Sequence, residues 1–391
     1  MLDSTAVPDA EAPGLYVHVP FCFHKCHYCD FYSITRQTAE RMARFVDLML
    51  SEADQWAGRH SRVRVRPRTV FFGGGTPSLL PLEEMRRLLA GLRERFDFAD
   101  LNEWTVEVNP ATAELNYCQM LREIGVDRLS FGAQSFDRAE LKVLERHHDP
   151  EDVPRSVEIA RRAGFSRINV DLIYAIPGQT LAGWSRTLDA AIALGTPHVS
   201  CYGLTYEPNT AMTVRKRLGH FQAVEESVEL EMLRYARGRL ADRGLAAYEI
   251  SNYAAPGEAC RHNLLYWTGG NYIGLGPSAA SHVEGWRWKN RPHLGEWEAA
   301  VAAGQLPAAD LERLSRDQRR GEWVMLRLRL AEGIGFDDYA ARWGGDARAD
   351  YGGELAHLEK LGLLTIDDAR FALSDAGLAV ADAIAAEFLR A

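Results

Sequence analysis

Three cysteines, Cys22, Cys26 and Cys29, stand as C-x-x-x-C-x-x-C within the stretch Gly14 to Tyr32, GLYVHVPFCFHKCHYCDFY. In an intracellular protein, thiols packed this closely serve poorly as disulfides, because a reducing compartment keeps such bonds open. As thiolates they are soft metal ligands, and two chemistries fit. Structural zinc takes four protein ligands in a closed tetrahedron; no second cysteine pair follows, so His24 and His27 would have to complete the set. An iron–sulfur cluster is also held by thiolates, and three of them on a four-iron cluster leave one iron open to bind something that reacts.

A second stretch with chemical content is FFGGGTPSLL, where the apolar run Thr69 to Phe72 ends in Gly73, Gly74, Gly75, Thr76 and Pro77. Consecutive glycines leave backbone N–H groups unshielded and let the chain approach a carboxylate or an amino-acid head group; they also serve as simple turns. Further on, Glu107 in VEVNP, Gln134 in FGAQSF and Asp171 in DLIY fall at or near the carboxyl ends of apolar runs. Parallel α/β folds place their ligands at those ends, and several polar residues in register point to a site where one alone would be a cap.

The elements that must position these residues alternate regularly. Apolar strands are expected at the start of the cysteine stretch, at Thr69 to Phe72, Trp104 to Val108, Arg128 to Phe131, Arg167 to Ile173 and His198 to Tyr202. Between them run helical patterns, among them Ala39 to Trp56 with Met42, Phe45, Val46, Met49 and Leu50 on one face. Six such units make right-handed βαβ crossovers, a parallel sheet and an open partial (βα)6 barrel over residues 14–245, behind a disordered tail, 1–13. Residues 246–310 read as a connecting segment. Residues 311–391, from LAHLEKLGLL onward, read as helix, two short strands and a final helix, a small α+β winged-helix-like domain that forms a lid over the barrel mouth or a docking surface.

The cysteine spacing, with the aromatic Tyr28 before the last cysteine, resembles the radical S-adenosylmethionine (SAM) superfamily, and the resemblance runs from Gly14 to the C-terminus. It implies a [4Fe–4S] cluster on Cys22, Cys26 and Cys29 whose open iron chelates SAM and reduces it to a 5'-deoxyadenosyl radical. Within that superfamily the chain resembles the coproporphyrinogen dehydrogenase-like branch. This implies SAM contacts at Tyr16 and Tyr28, at Gly74, Gly75 and Thr76, and at Glu107, Gln134, Arg146 (LERHH), Asp171, Thr205 and Ala280.

One more stretch, RHNLLYWTGGNYIGLGPSAASH, carries His262, Asn263, Tyr266 and Trp267 as H-N-x-x-Y-W. Glycine with aromatics can be only a packed turn. An imidazole can also ligate haem iron, with Tyr and Trp rings against the porphyrin face, and HNLLYW is similar to the motif of the HemW-type haem chaperone branch. That branch implies haem as cargo, respiratory haem proteins as acceptors, a flavodoxin or ferredoxin as electron donor if SAM is cleaved, a homodimer and transient contact with membrane proteins. The rival reading is an oxygen-independent coproporphyrinogen III dehydrogenase or another radical SAM enzyme. The decarboxylating enzymes resemble C-x-x-x-C-x-x-C-x-C and carry a longer arm ahead of the first strand. Here Phe31 stands at the fourth cysteine's place, and about a dozen residues precede the strand, so the carrier is favoured.

Bulk properties set the outer limits. At 391 residues and 47% hydrophobic content the chain can bury a large core, and a net charge of -9 speaks against nucleic acid as partner. The basic run Arg59 to Arg68 reads as a solvated loop and strand edge, and Asp367, Asp368, Asp375, Asp382 and Glu387 make the winged segment unsuited to DNA. The N-terminus lacks a signal-peptide layout and no apolar run reaches membrane-spanning length, which places the protein in the cytoplasm. Cys118, Cys201 and Cys260 read as buried, incidental thiols.

Overall fold

Alternating apolar residues build the sheet. In the computed structural model, which describes residues 7–58 and 62–390, six parallel strands run in sequence order: β1 (Ala10–Val19), β2 (Val63–Gly74), β3 (Glu103–Val108), β4 (Arg128–Gln134), β5 (Arg167–Tyr174) and β6 (His198–Gly203). One face of each strand packs under the helices: Val17, Phe72, Trp104, Leu129, Val170 and Val199 are fully buried there. Helix Ala39–Ala57 meets this face with Phe45, Val46, Met49 and Trp56, and Thr38 caps its start by accepting the Arg41 N–H at 3.3 Å. Burying Phe72 or Trp104 contributes about 2–3 kcal/mol each, and Phe72→Ala would cost about 3–5 kcal/mol.

The opposite strand faces line the barrel lumen in layers, because register is fixed by this alternation. At the amino-terminal ends lie Thr69, Glu103, Arg128, Arg167 and His198; at the carboxyl ends lie Gly73, Glu107, Gly132 and Asp171. These two ends, floor and mouth, carry different chemistry.

The span 246–310 is more than a connector. β7 (Ala246–Ala247) and β8 (Asn252–Ala254) extend the sheet beyond β6, while β9 (Tyr272–Leu275) pairs parallel to β1 and is followed outward by β10 (Ala280–Val283), β11 (Trp286–Asn290) and β12 (Ala308–Arg313). The sheet thus has twelve strands, and β12 crosses the expected boundary at 311. The expected tail also shortens: β1 already begins at Ala10, and residues 1–6 lie outside the described residues. Of the basic run, residues 59–61 lie outside the described residues; the rest opens β2, with Arg66 paired to Asp97 at 3.1 Å and Asp100 at 3.2 Å.

The C-terminal segment is winged-helix-like, as expected, with the small antiparallel sheet of β13 (Ile334–Gly335), β14 (Leu364–Ile366) and β15 (Arg370–Leu373) among helices and its own core of Trp323, Tyr339, Tyr351, Phe371 and Phe388. Its contacts correct the lid expectation. The Arg329 guanidinium lies over Trp267 at 5.2 Å, Arg287 pairs with Glu322, and Leu330 bridges to Glu249, so the domain docks at the floor. The reason is packing: Trp323 comes against Gly269, just before β9 rises from the floor.

Candidate functional site

The cysteine loop leaves the carboxyl end of β1 and is held down at several points. The Cys22 N–H donates to Ile34 O at 2.9 Å, the Cys29 N–H to Cys26 O at 3.2 Å, and the Met212 N–H to His27 O at 2.8 Å. Tyr28 packs against Leu144, Ile173, Ile176, Leu204 and Met212. All three thiols stay partly open. Burial pushes the Cys29 thiol up to about 11 and raises Cys22, so these two keep their protons at neutral pH until a metal takes their place. Three thiols on one loop are a donor set that fits an iron–sulfur cluster with one iron left open.

The glycine loop presses against that cluster loop. Gly74 has φ +98, and a Cβ there would enter the His18 ring; a Cβ on Gly75 would lie 2.7 Å from Val19 O. Both positions require glycine. The Gly75 N–H donates to Val19 O and the Thr76 N–H to Phe21 O, while the Thr76 hydroxyl reaches Cys22 Sγ at 3.6 Å. Thr76 thus ties the glycine loop to a cysteine.

Around the mouth stand most of the expected cofactor contacts. Glu107 faces the lumen beside Gly73, and burial, with Asp171 nearby, pushes its carboxyl up to about 8. Asp171 accepts from Ser130 Oγ at 2.9 Å and Asn169 Nδ2 at 2.8 Å. Gln134 is buried with φ +63, a left-handed conformation unusual for a residue with a side chain. Arg146 donates to Gly132 O at 2.6 Å and lies 3.8 Å from Cys26 Sγ, leaving its Nε buried without a partner. Thr205 and Ala280 are exposed at the rim. Tyr16 sits deeper, donating to or accepting from His18 Nδ1 at 3.0 Å and stacking on Phe71.

Reading residues singly missed His18 and Glu145. His18 is 3% exposed, bonds Tyr32 O at 2.9 Å and backs the glycine loop; its place two residues after Tyr16, on the same strand face, was the available signal. Gln134, the last residue of β4, and Glu145, Ala175 and Ser278 in loops all have positive φ, and all four lie at the mouth. Clustered strain of this kind marks functional surfaces.

The four H-N-x-x-Y-W residues lie elsewhere. Helix Arg261–Trp267 closes the floor: the Arg261 and His262 N–H groups donate to the Glu103 carboxylate at 3.0 Å each, and that carboxylate pairs with Arg167 at 2.8 Å. His262 is 1% exposed, with Nδ1 at 2.8 Å from Thr69 Oγ1 and Nε2 at 2.8 Å from Tyr266 OH, and its ring stacks on Phe71. Burial lowers it to about 4, so it is neutral. Both ring nitrogens are engaged, one donating and the other accepting, so in this conformation the ring's one lone pair is not free for haem iron. Asn263 and Trp267 are half-buried on the same helix.

A partial barrel whose mouth gathers three cysteines, a glycine loop and a ring of lumen polar groups defines a radical SAM protein. Residues 16–191 match the Radical SAM superfamily and residues 314–380 the HemN C-terminal domain. The chain is 35% identical to the heme chaperone HemW of Mycobacterium tuberculosis, covering 95% of this chain and 93% of that one, and 32% identical to HemW of Lactococcus lactis, covering 96% of each. Escherichia coli HemW is 37% identical over 69% of this chain and 70% of its own length. On these relatives the chain belongs to the HemW family of radical SAM proteins. Its fold is similar to that of coproporphyrinogen III oxidase (HemN) from Escherichia coli, with TM-score 0.84 and 24% identity over 98% of this chain and 92% of that one. Superfamily membership implies a [4Fe–4S] cluster and SAM. No helix among the described residues is long and apolar enough to cross a membrane.

Proposed function

We propose that this protein is a haem chaperone that binds haem and passes it to haem-requiring acceptor proteins, respiratory ones foremost, and that it does not decarboxylate coproporphyrinogen. The observation that carries this reading is similarity over nearly the whole chain to proteins named heme chaperone HemW. Phe31, 66% exposed where the decarboxylating pattern has a further cysteine, supports its second half.

On this reading Cys22, Cys26 and Cys29 hold the cluster, which supplies an open iron and an electron for SAM. Gly74, Gly75 and Thr76 offer backbone to the methionine moiety, Glu107 receives its ammonium group, and Tyr16, Tyr28, Gln134, Arg146, Asp171, Thr205 and Ala280 shape the rest of the pocket. Tyr28 keeps the loop seated through its packing on Leu144 and Met212.

The haem-facing side of HNLLYW is its outer one. There Tyr266, Tyr272, Trp323 and Trp343, with Arg287, Arg319 and Glu322, line a cleft of about 190 Å³, in which Arg287 is paired with Glu312 and Glu322 and Arg319 with Glu284, pairs that porphyrin carboxylates would have to displace. Ligand pockets start at roughly 300 Å³, so the cleft takes an edge of a porphyrin, its carboxylates against the guanidinium groups.

The test is an anaerobic haem titration of cluster-loaded protein followed in the Soret region, with His262→Ala and Arg287→Ala alongside, then transfer to an apo-acceptor. Stoichiometric wild-type binding, weakened by Arg287→Ala, supports the reading. Equal binding by His262→Ala assigns His262 to the floor; non-saturating wild-type binding overturns the chaperone.

A further inference from the structure

Between the first two cysteines lies His24, and facing it across the mouth is the segment Glu145–Arg146–His147. His24 Nε2 stands 3.0 Å from Glu145 Oε2, and the rings of His24 and His147 meet edge to face at 4.6 Å. Among the described residues this is the trio whose ligand atoms all lie within 4.8 Å of one another. His27 backs it from behind: its Nδ1 accepts from Arg215 Nη1 at 2.9 Å, which leaves its proton on Nε2, 3.7 Å from Glu145 Oε1.

A second observation is independent of those distances. Glu145 has φ +58, a backbone conformation that costs an L-residue with a side chain about 1 kcal/mol or more and that glycine takes freely. The conformation belongs to the turn that ends helix Arg138–Val143, where the Glu145 N–H donates to Lys142 O at 3.2 Å and the Arg146 N–H to Leu141 O at 2.9 Å, and that bonded turn fixes the backbone from which the carboxylate meets the two imidazoles.

We propose that His24, Glu145 and His147 form a binding site for a divalent transition-metal ion of the zinc, cobalt or nickel class, separate from the iron–sulfur cluster. Two imidazoles and a carboxylate are the donor set such ions favour over magnesium or calcium. The half-exposed edges of His24 and Glu145 leave room for water to complete the shell. Haem iron does not fit, since a porphyrin fills the equatorial positions and leaves only two, on opposite faces, whereas these three ligands converge from one side. The ion would staple the cysteine loop to the segment whose Arg146 reaches Cys26 Sγ, and so would stiffen the cluster loop. None of this depends on whether haem binds.

The test uses the full chain with its cluster loaded, washed free of loose metal by a mild chelator and equilibrated by dialysis against Zn²⁺, with zinc and iron measured in the same sample. The wild type should take up a single equivalent of zinc without losing iron. Glu145→Gly and His147→Ala should each weaken uptake roughly ten-fold or more while keeping their iron. Glu145→Gly should also melt no lower than the wild type in metal-free buffer, because the strain is gone, and zinc should raise the melting temperature of the wild type alone. The proposal is overturned if the wild type and Glu145→Gly take up equal zinc, or if zinc enters only as iron leaves.

Discussion

The two ends of the barrel use the same kinds of residue for opposite purposes. At the floor, Glu103, Arg128, Arg167, His198 and His262 close upon one another: Arg167 pairs with Glu103, Asp127 and Glu258, His198 with Asn169 and Tyr248, and His262 with Thr69 and Tyr266. At the mouth, Cys22, Cys26 and Cys29 are left partly open, Arg146 keeps a buried N–H unpartnered, and Gln134, Glu145, Ala175 and Ser278 hold positive φ. Satisfied polar groups make a plug and unsatisfied ones make a site. In a parallel barrel this contrast tells the carboxyl end from the amino end more surely than residue type does.

The largest effect should come from breaking the mouth. Cys22→Ser, Cys26→Ser or Cys29→Ser should each abolish nearly all brown cluster absorption and iron, whereas His262→Ala at the floor should keep both; full iron content in any single serine variant would remove the three-thiolate arrangement. Breaking the floor should instead cost stability. Glu103 is fully buried, and although burial alone would raise its carboxyl, Arg128, Arg167 and two backbone N–H groups hold it below the usual range. Glu103→Ala takes the carboxylate away from the buried Arg128, leaves Arg167 only Asp127 and Glu258, and should cost about 3–5 kcal/mol, seen as a markedly lower melting temperature with cluster iron unchanged in the folded fraction.

How much of this was legible beforehand differs between the two ends for a physical reason. The cysteine loop, the glycine loop and the strand-end Glu107, Gln134 and Asp171 could be read because their chemistry is local to a few neighbouring positions. The floor could not. His262 looked like a free ligand because its partners, Thr69 and Glu103, are more than 150 residues away and sheet register alone brings them together. Residues 246–310 looked like a connector because β9 to β12 are short and join the sheet only through the pairing of β9 with β1, at the far end of the chain. The docking of the winged domain at the floor turned on Trp323 meeting Gly269, a contact with no sequence signature.

A smaller effect separates the ends by pH. Glu103, held low, gives stability that is present above the unfolded glutamate value and lost as pH falls through its folded value. Glu107 has the opposite sign: with its folded value near 8 against 4.5 for the ordinary group, the cofactor-free protein keeps a proton that the unfolded chain has released. Its contribution is full below 4.5 and is lost as pH rises through 8. Denaturant titrations from pH 5 to 9 should therefore show an alkaline loss that Glu107→Gln removes. An ammonium group arriving at Glu107 should expel that proton near pH 7, so calorimetry of SAM binding in buffers of different ionisation enthalpy should report proton release in the wild type and none from this site in Glu107→Gln. A buffer-independent heat in the wild type would place the ammonium group elsewhere.

The smallest expected effect concerns Phe31, an exposed residue of the cysteine loop at the mouth. Its side chain is 66% exposed two positions beyond Cys29, so replacing it disturbs little packing. Phe31→Cys should leave melting temperature and iron content within error of the wild type, and should give no vinyl product from coproporphyrinogen III by chromatography. A thiol there supplies one group of a decarboxylating site, not the positioning of a tetrapyrrole over the lumen. Detectable product would mean that the mouth already holds the substrate geometry, and that one side chain at the rim separates carrier from enzyme.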